Sequence, residues 1–198
     1  MADNNKKTSE VTTKNKEMQA AVAVNKKIKI RAATQMAEMG FSLSTIQSIL
    51  DIGYNVLERA LNLEFQMLDK VQKDYTFRSI SKKSPYSLKS YIYSYTSIYE
   101  CTFFYSVYKK ITPDKNEIRP NPLAIYLAYN LYINTVHDRL KEGEPFIKHI
   151  NQAYNLVNQI IQGIIQIEEC SACGRMYVTS DYFKGYECPL CRLKKDLS

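Results

Sequence analysis

The sequence predicts a mainly α-helical protein: a multi-helix domain with a helix-turn-helix-like hairpin, closed by a small four-cysteine, zinc-ribbon-like module. Three observations predict it. Apolar residues recur at helical 3-and-4 spacing from Lys27 to Ile165. Glycine and proline punctuate these runs at Gly40, Gly53, Pro85, Pro122, Gly143 and Pro145. Two C-x-x-C pairs, Cys170-Ser-Ala-Cys173 and Cys188-Pro-Leu-Cys191, then stand fourteen residues apart. The expected divisions are a mobile basic tail over 1–25, a helical domain over 26–167, and a metal module over 168–198.

The tail is rich in Asn, Lys, Thr and Glu and has no large apolar repeat. From Lys27, the residues Ile28, Ile30, Ala33, Met36 and Met39 fit a helix that Gly40 ends. Ser42 or Ser44 can cap a short second helix through Ile46, Ile49 and Leu50. A third helix runs from about Tyr54 toward Val71. Between them lies Asp51-Ile52-Gly53, where Gly53 is expected to supply the bend. A helix-turn-helix and a plain packing hairpin both have this outline, and on periodicity alone both readings stand.

Residues 74–85 read as a loop, and Pro85 can open the next helix, which runs from Tyr86 to about Ile111. Its aromatic repeat, Tyr91, Tyr95, Tyr99 and Phe103, is joined by Ile98, Cys101, Phe104 and Tyr108 on other faces, so it must be covered on several sides. Core packing is the first reading of that stripe, and a base-stacking platform the second. A further helix spans about Pro122 to Leu140. The last long one is entered at Pro145 and continues through Ile164 and Ile165 to deliver the chain to Cys170. Between the cysteine pairs, Arg175 to Val178 is expected to form one strand and Tyr182 to Glu187 its return. The module should dock on the long helix before it.

Two C-x-x-C pairs bring four thiolates to one point, and four thiolates fill a tetrahedral shell with no place for a reactive water. The expectation is one structural Zn²⁺ on Cys170, Cys173, Cys188 and Cys191; a four-cysteine iron–sulfur cluster is the standing alternative. Disulfides need an oxidising compartment, and a redox dithiol needs one C-x-x-C in a βαβ setting, neither of which is visible. A zinc deaminase needs H-x-E ahead of P-C-x-x-C, whereas Glu187 precedes Cys188. The fifth cysteine, Cys101, reads as a buried small hydrophobe. His137 and His149 lack metal-ligand spacing, and no nucleophile–base pair emerges, so an enzyme and a small-molecule substrate are not expected.

Of the 198 residues, 27 are Lys or Arg and 20 Asp or Glu, a formal charge of +7 that favours polyanionic partners. The excess is clustered. Lys26, Lys27, Lys29 and Arg31 lie in the first cluster, Arg78, Lys82 and Lys83 in the second, and Arg192, Lys194 and Lys195 follow the last cysteine. These are candidate phosphate contacts, with Asn55 and Arg59 candidates for reading base edges of double-stranded DNA. A zinc-containing structural or adaptor protein that binds another protein without touching DNA is the rival. No stretch reaches eighteen apolar residues, and no apolar core follows Met1, so a cytoplasmic protein without membrane contact is expected.

The order of parts resembles the FlhC family. The residues that carry the likeness are Met36-Ala-Glu-Met-Gly40 with its hairpin, the aromatic middle helix, Ala153-Tyr-Asn-Leu-Val157 with Cys170-x-x-Cys173-Gly174, and Gly185-Tyr-Glu-Cys188-x-x-Cys191. It covers roughly residues 28–195. The likeness implies a subunit of a transcriptional activator that binds DNA in a hetero-oligomer, hexameric in the family, with an FlhD-like partner and engages RNA polymerase. It also implies that the four paired cysteines are zinc ligands. The genes controlled would be flagellar or, as in SetC and AcaC relatives on mobile elements, those of DNA transfer. The tail before Lys26 and the segment between the cysteine pairs depart from the family pattern.

Overall fold

The computed structural model describes residues 22–66, 92–114, 117–139, 145–183 and 187–196. Most of the predicted tail, the end of the third helix at Val71, the 74–85 loop with Pro85, the first turns after Tyr86, and Gly143 lie outside them. The described residues are mainly helical. The chain divides into two compact units, Met1–Lys83 and Ser84–Ser198.

In the first unit, α1 (22–38) ends as the glycine requires. Gly40 takes φ 89°; its N–H donates to the Ala37 carbonyl at 2.9 Å, and the Phe41 N–H reaches back to Met36 at 3.0 Å. This is a Schellman closure, and the fully buried Phe41 packs into the unit's core just past it. Ser42, not Ser44, caps α2 (Leu43–Leu50) by accepting the Thr45 N–H. α3 (Tyr54–Gln66) packs against α2 and buries Leu57 and Leu61 alongside Ile46.

The bend between α2 and α3 is made differently from expectation. Asp51 takes the left-handed conformation, φ 50°, and Gly53 has no positive φ. Asp is among the few side chains that visit this region readily. Gly53 instead offers its carbonyl to the N–H groups of Val56 and Leu57, at 3.0 and 3.1 Å. A methyl group added there meets nothing within 4 Å. Gly53→Ala should therefore change stability by less than ~1 kcal/mol, with capping and chain entropy opposed. Asp51→Val should cost about 1–2 kcal/mol. Urea midpoints of the two variants check the assignment, and a larger loss at Gly53 would return the bend to the glycine.

In the second unit, the aromatic helix is the hub. α4 begins at Tyr95, later than the Tyr86 expected: Ser94 and Ser97 form a capping box there, and Ile92 and Tyr93 precede it outside the helix. α4 (Tyr95–Ile111) packs against α5 (Pro122–Arg139), α6 (Ile150–Ile161), strand β2 (Met176–Thr179) and α7 (Pro189–Asp196), so its own unit supplies the cover its sequence demands. Ile98, Cys101, Phe104 and Tyr108 are buried, while Tyr95, Tyr99 and Phe103 are only half-buried.

A buried carboxylate ties this core together. Glu100 on α4 accepts the hydroxyl of Tyr132 on α5 and the Phe146 N–H at 2.7 Å, and the Ile147 N–H donates to the Tyr132 oxygen at 3.1 Å. Burial, reinforced by Glu100, raises the Tyr132 phenol well above its ordinary range, so the hydroxyl stays a donor. Tyr132→Phe should destabilise the unit by about 1–3 kcal/mol, the cost of an under-satisfied buried acceptor. Adding Glu100→Leu should cost less than the sum of the two single changes, because both partners are then gone. A thermodynamic cycle from chemical denaturation measures this, and simple additivity would contradict the network.

The last long helix stops earlier than expected. α6 ends at Ile161 because Gly163 adopts φ 70° and, with Ile164, bonds back to Ile160 and Gln159. Ile165 then leads into β1 (Gln166–Glu169), antiparallel to β2 in the register Ile167↔Val178. The expected return strand over Tyr182–Glu187 is absent among its described residues; β2 pairs with a strand that precedes the first cysteine.

Candidate metal centre

The first cysteine pair occupies the turn of the β1–β2 hairpin. The Cys170 N–H donates to Arg175 at 2.9 Å, extending the ladder, and the Gly174 N–H donates to Cys170 at 2.8 Å. Gly174 takes φ 68°, which a glycine adopts without strain and which folds the backbone beneath the sulfurs. The second pair sits elsewhere in the local architecture: Cys188 precedes α7 and Cys191 lies in its first turn. Pro189 opens that helix.

The four Sγ atoms all lie within 4.8 Å of one another. Cys170 and Cys191 are 3.8 Å apart, Cys173 and Cys188 3.6 Å. A tetrahedral ion with metal–sulfur bonds of about 2.3 Å sets its ligands about 3.8 Å apart. The cage therefore has the size of a single ion. The sulfurs of a multi-iron cluster ligate different irons and stand farther apart, and a disulfide needs about 2.05 Å. The donor set fits a closed, structural zinc site, in which the metal would supply folding energy rather than reactivity.

The surroundings prepare one thiolate before any ion binds. Backbone N–H groups of Cys188 and Ala172 hold the Cys170 thiol down to about 6. Burial raises Cys188, and hydrogen bonds with the sulfurs of Cys173 and Cys188 push Cys191 up to about 12. Near pH 7 an arriving ion thus meets Cys170 as thiolate and must expel protons from Cys188 and Cys191. The sign follows: zinc affinity rises from pH 6 to pH 8, and below about 6 protonation of the free Cys170 thiol makes it fall more steeply. Calorimetry in buffers of different ionisation enthalpy should show proton release, and none would contradict this.

The module rests on α4, not on the helix before it as expected. The Val178 N–H donates to the Thr102 hydroxyl at 2.9 Å, and the Ser180 hydroxyl donates to the Ile92 carbonyl at 2.6 Å. Phe183 meets the Tyr95 ring edge-on at 5.1 Å, and the Arg192 guanidinium lies 6.0 Å from the centre of the same ring. Cys101 is fully buried, with its thiol pushed well up by burial and then by Glu100, as a core hydrophobe should be.

The candidate DNA contacts fall in several places. Lys26, Lys27 and Arg31 are exposed on α1, while Lys29 is half-buried and donates to the Asp51 carbonyl at 3.4 Å. Asn55 and Arg59 are exposed, one turn apart on α3. Arg78, Lys82 and Lys83 lie outside the described residues. Arg192, Lys194 and Lys195 are exposed on α7, where Lys195 pairs with Glu187. Sequence reasoning missed β1 and the N–H donors around Cys170, for which residue types carry no signal.

A helical body ending in a hairpin-and-helix thiolate cage matches one family across nearly the whole chain. The profile described as Flagellar transcriptional activator (FlhC) aligns with residues 16–196. The chain belongs to the FlhC family. Over 71 residues it is 30% identical to the flagellar transcriptional regulator FlhC of Serratia marcescens, a match covering 35% of this chain and 36% of that protein. The chain thus spans about a third of the length of the curated relative it matches. The FlhC family comprises transcriptional regulators, not enzymes. No helix among the described residues of this FlhC-family chain is long and apolar enough to cross a membrane.

Proposed function

We propose that the chain is the DNA-binding subunit of a transcriptional activator, assembled with an FlhD-like partner into a hetero-oligomer that recruits RNA polymerase at flagellar or mobile-element transfer promoters. The observation that carries this reading is the family match over residues 16–196, which takes in both the basic hairpin unit and the thiolate cage. The α2–α3 hairpin acts as a helix-turn-helix, with the exposed Asn55 and Arg59 of α3 toward base edges and Lys26, Lys27 and Arg31 toward phosphates. One zinc ion on the four paired cysteines holds the C-terminal module against α4. The protein works in the cytoplasm, where its DNA is.

Phosphate neutralisation releases counterions, so affinity for promoter DNA falls steeply with salt. The test is retention of promoter fragments by the purified protein with its partner between 50 and 200 mM salt. For six or more phosphate contacts, the loss is on the order of a thousandfold. Absence of salt-dependent retention, with partner assembly intact, would favour the adaptor reading instead.

A further inference from the structure

We propose that α5 pairs in parallel with the α5 of a second copy of this chain, about a two-fold axis that runs along its outward face. A seam at 4-3-4 spacing marks that face, Leu123, Leu127, Asn130 and Asn134, and all four residues are exposed. Leu123 and Leu127 are 54% and 48% exposed, and Leu131, which flanks the seam, is 51% exposed. Ile125 and Tyr132, on the opposite side of the helix, are fully buried, so the helix cannot roll to take the leucines inward. This spacing is that of a supercoiled helix pair, in which knobs of one helix enter holes of the other. α4 and α6 already hold α5 on its buried side, so association does not have to fold it.

No charged residue occurs from Asn121 to Val136, in a chain that is 24% charged. α6 lacks charge as well, but seven of its twelve residues are buried. α5 instead turns an uncharged, leucine-bearing face outward, the composition of an interface core. A polyanion or an oppositely charged protein finds nothing to hold there. The order of side chains selects a like partner. In a parallel pair each leucine meets its own counterpart, and each asparagine meets an amide that carries both the donor and the acceptor it needs. An antiparallel pair would set Leu123 against Asn134 and Leu127 against Asn130. A surface that complements itself under a two-fold rotation forms an isologous interface. Net charge does not oppose it, because Ser84–Ser198 holds 13 Lys and Arg against 11 Asp and Glu.

The test is sedimentation of the zinc-loaded full chain, without DNA, over a concentration series reaching about 300 µM. The seam is short against a standard interface of about 800 Å² per partner, so half-association is expected at about 10–100 µM. Leu127→Glu and Leu127→Lys should each weaken the dimer roughly tenfold or more by placing like charges across the axis. Both should keep the melting temperature, since the side chain is half exposed in the single chain. Mixing these two variants in equal amounts should recover the dimer, because position 127 then faces itself with opposite charges. Mixing Leu127→Glu with Asn130→Lys should not. A monomer throughout the series, a dimer indifferent to both Leu127 variants, or recovery by the second mixture in place of the first would each overturn the proposal. So would a chain that stays monomeric while a different protein protects the α5 amides from exchange. None of these readouts involves DNA, so the result stands apart from the promoter test.

Discussion

Cys173→Ser should lower bound metal from one equivalent to none and unfold the C-terminal module. The hairpin has four residues per strand and a turn, and among the module's buried side chains Cys170 and Cys188 are themselves candidate ligands. Such a segment buries too little to fold on its own, whereas a structural zinc contributes about 10–16 kcal/mol. Cys173 is the exposed ligand, so its replacement disturbs packing least and isolates coordination. Loss of the module uncovers α4 where β2 and α7 lie against it, exposing Thr102 and the half-buried aromatic residues. Elemental analysis together with limited proteolysis reads both effects: new cleavage within 166–196 is expected. A variant that keeps its full metal equivalent would remove zinc from the account.

The second large effect concerns DNA. The triple change Arg59→Glu, Lys82→Glu and Lys83→Glu should abolish promoter binding while co-purification with the partner persists. Each phosphate contact contributes about 0.9 to the slope of log affinity against log salt, so the two lost with Lys82 and Lys83 flatten it by roughly 1.8. Arg59 is separable from the lysines. Exposed on α3 one turn from Asn55, it is assigned to a base edge, so Arg59→Ala should relax sequence preference by about 1–3 kcal/mol and leave non-specific affinity nearly unchanged. Binding isotherms on specific and scrambled DNA decide between the two roles. Partner assembly lost together with DNA binding would instead mark these side chains as part of a protein interface.

Much of the fold was legible because its signals are local. Gly40 stops α1 at the expected place through its own hydrogen bond three residues back and that of Phe41 five residues back, and Ser42 caps α2 across three residues. The same rule was available at Gly163, yet Ile164 and Ile165 continue the apolar period and mask the stop; the left-handed glycine prevails. At the α2–α3 bend, Gly53 was the obvious candidate and Asp51 took the strained position, since either residue type tolerates it. Strand β1 was the clearest omission. Gln166-Ile-Glu-Glu169 has no strong alternation, and it becomes a strand because β2 and the cysteine turn give its backbone a partner.

The sequence by itself determined the helical class, the four paired cysteines as one candidate metal site, and the basic clusters, because spacing, capping and charge act over a few residues. Only the tertiary structure decided which faces are inside. α5 carries apolar residues on more than one face, and it buries Ala124, Ile125, Ala128 and Tyr132 while Leu123, Leu127 and Leu131 remain about half exposed. Small alanines let the backbones of packed helices approach closely, and hydrophobicity alone does not choose among apolar faces. The module likewise rests on α4 and the residues just before it, where Val178 and Ser180 reach Thr102 and Ile92 by hydrogen bonds spanning 76 and 88 positions. Contacts of that separation are set by the packing of the whole unit, which no local pattern encodes.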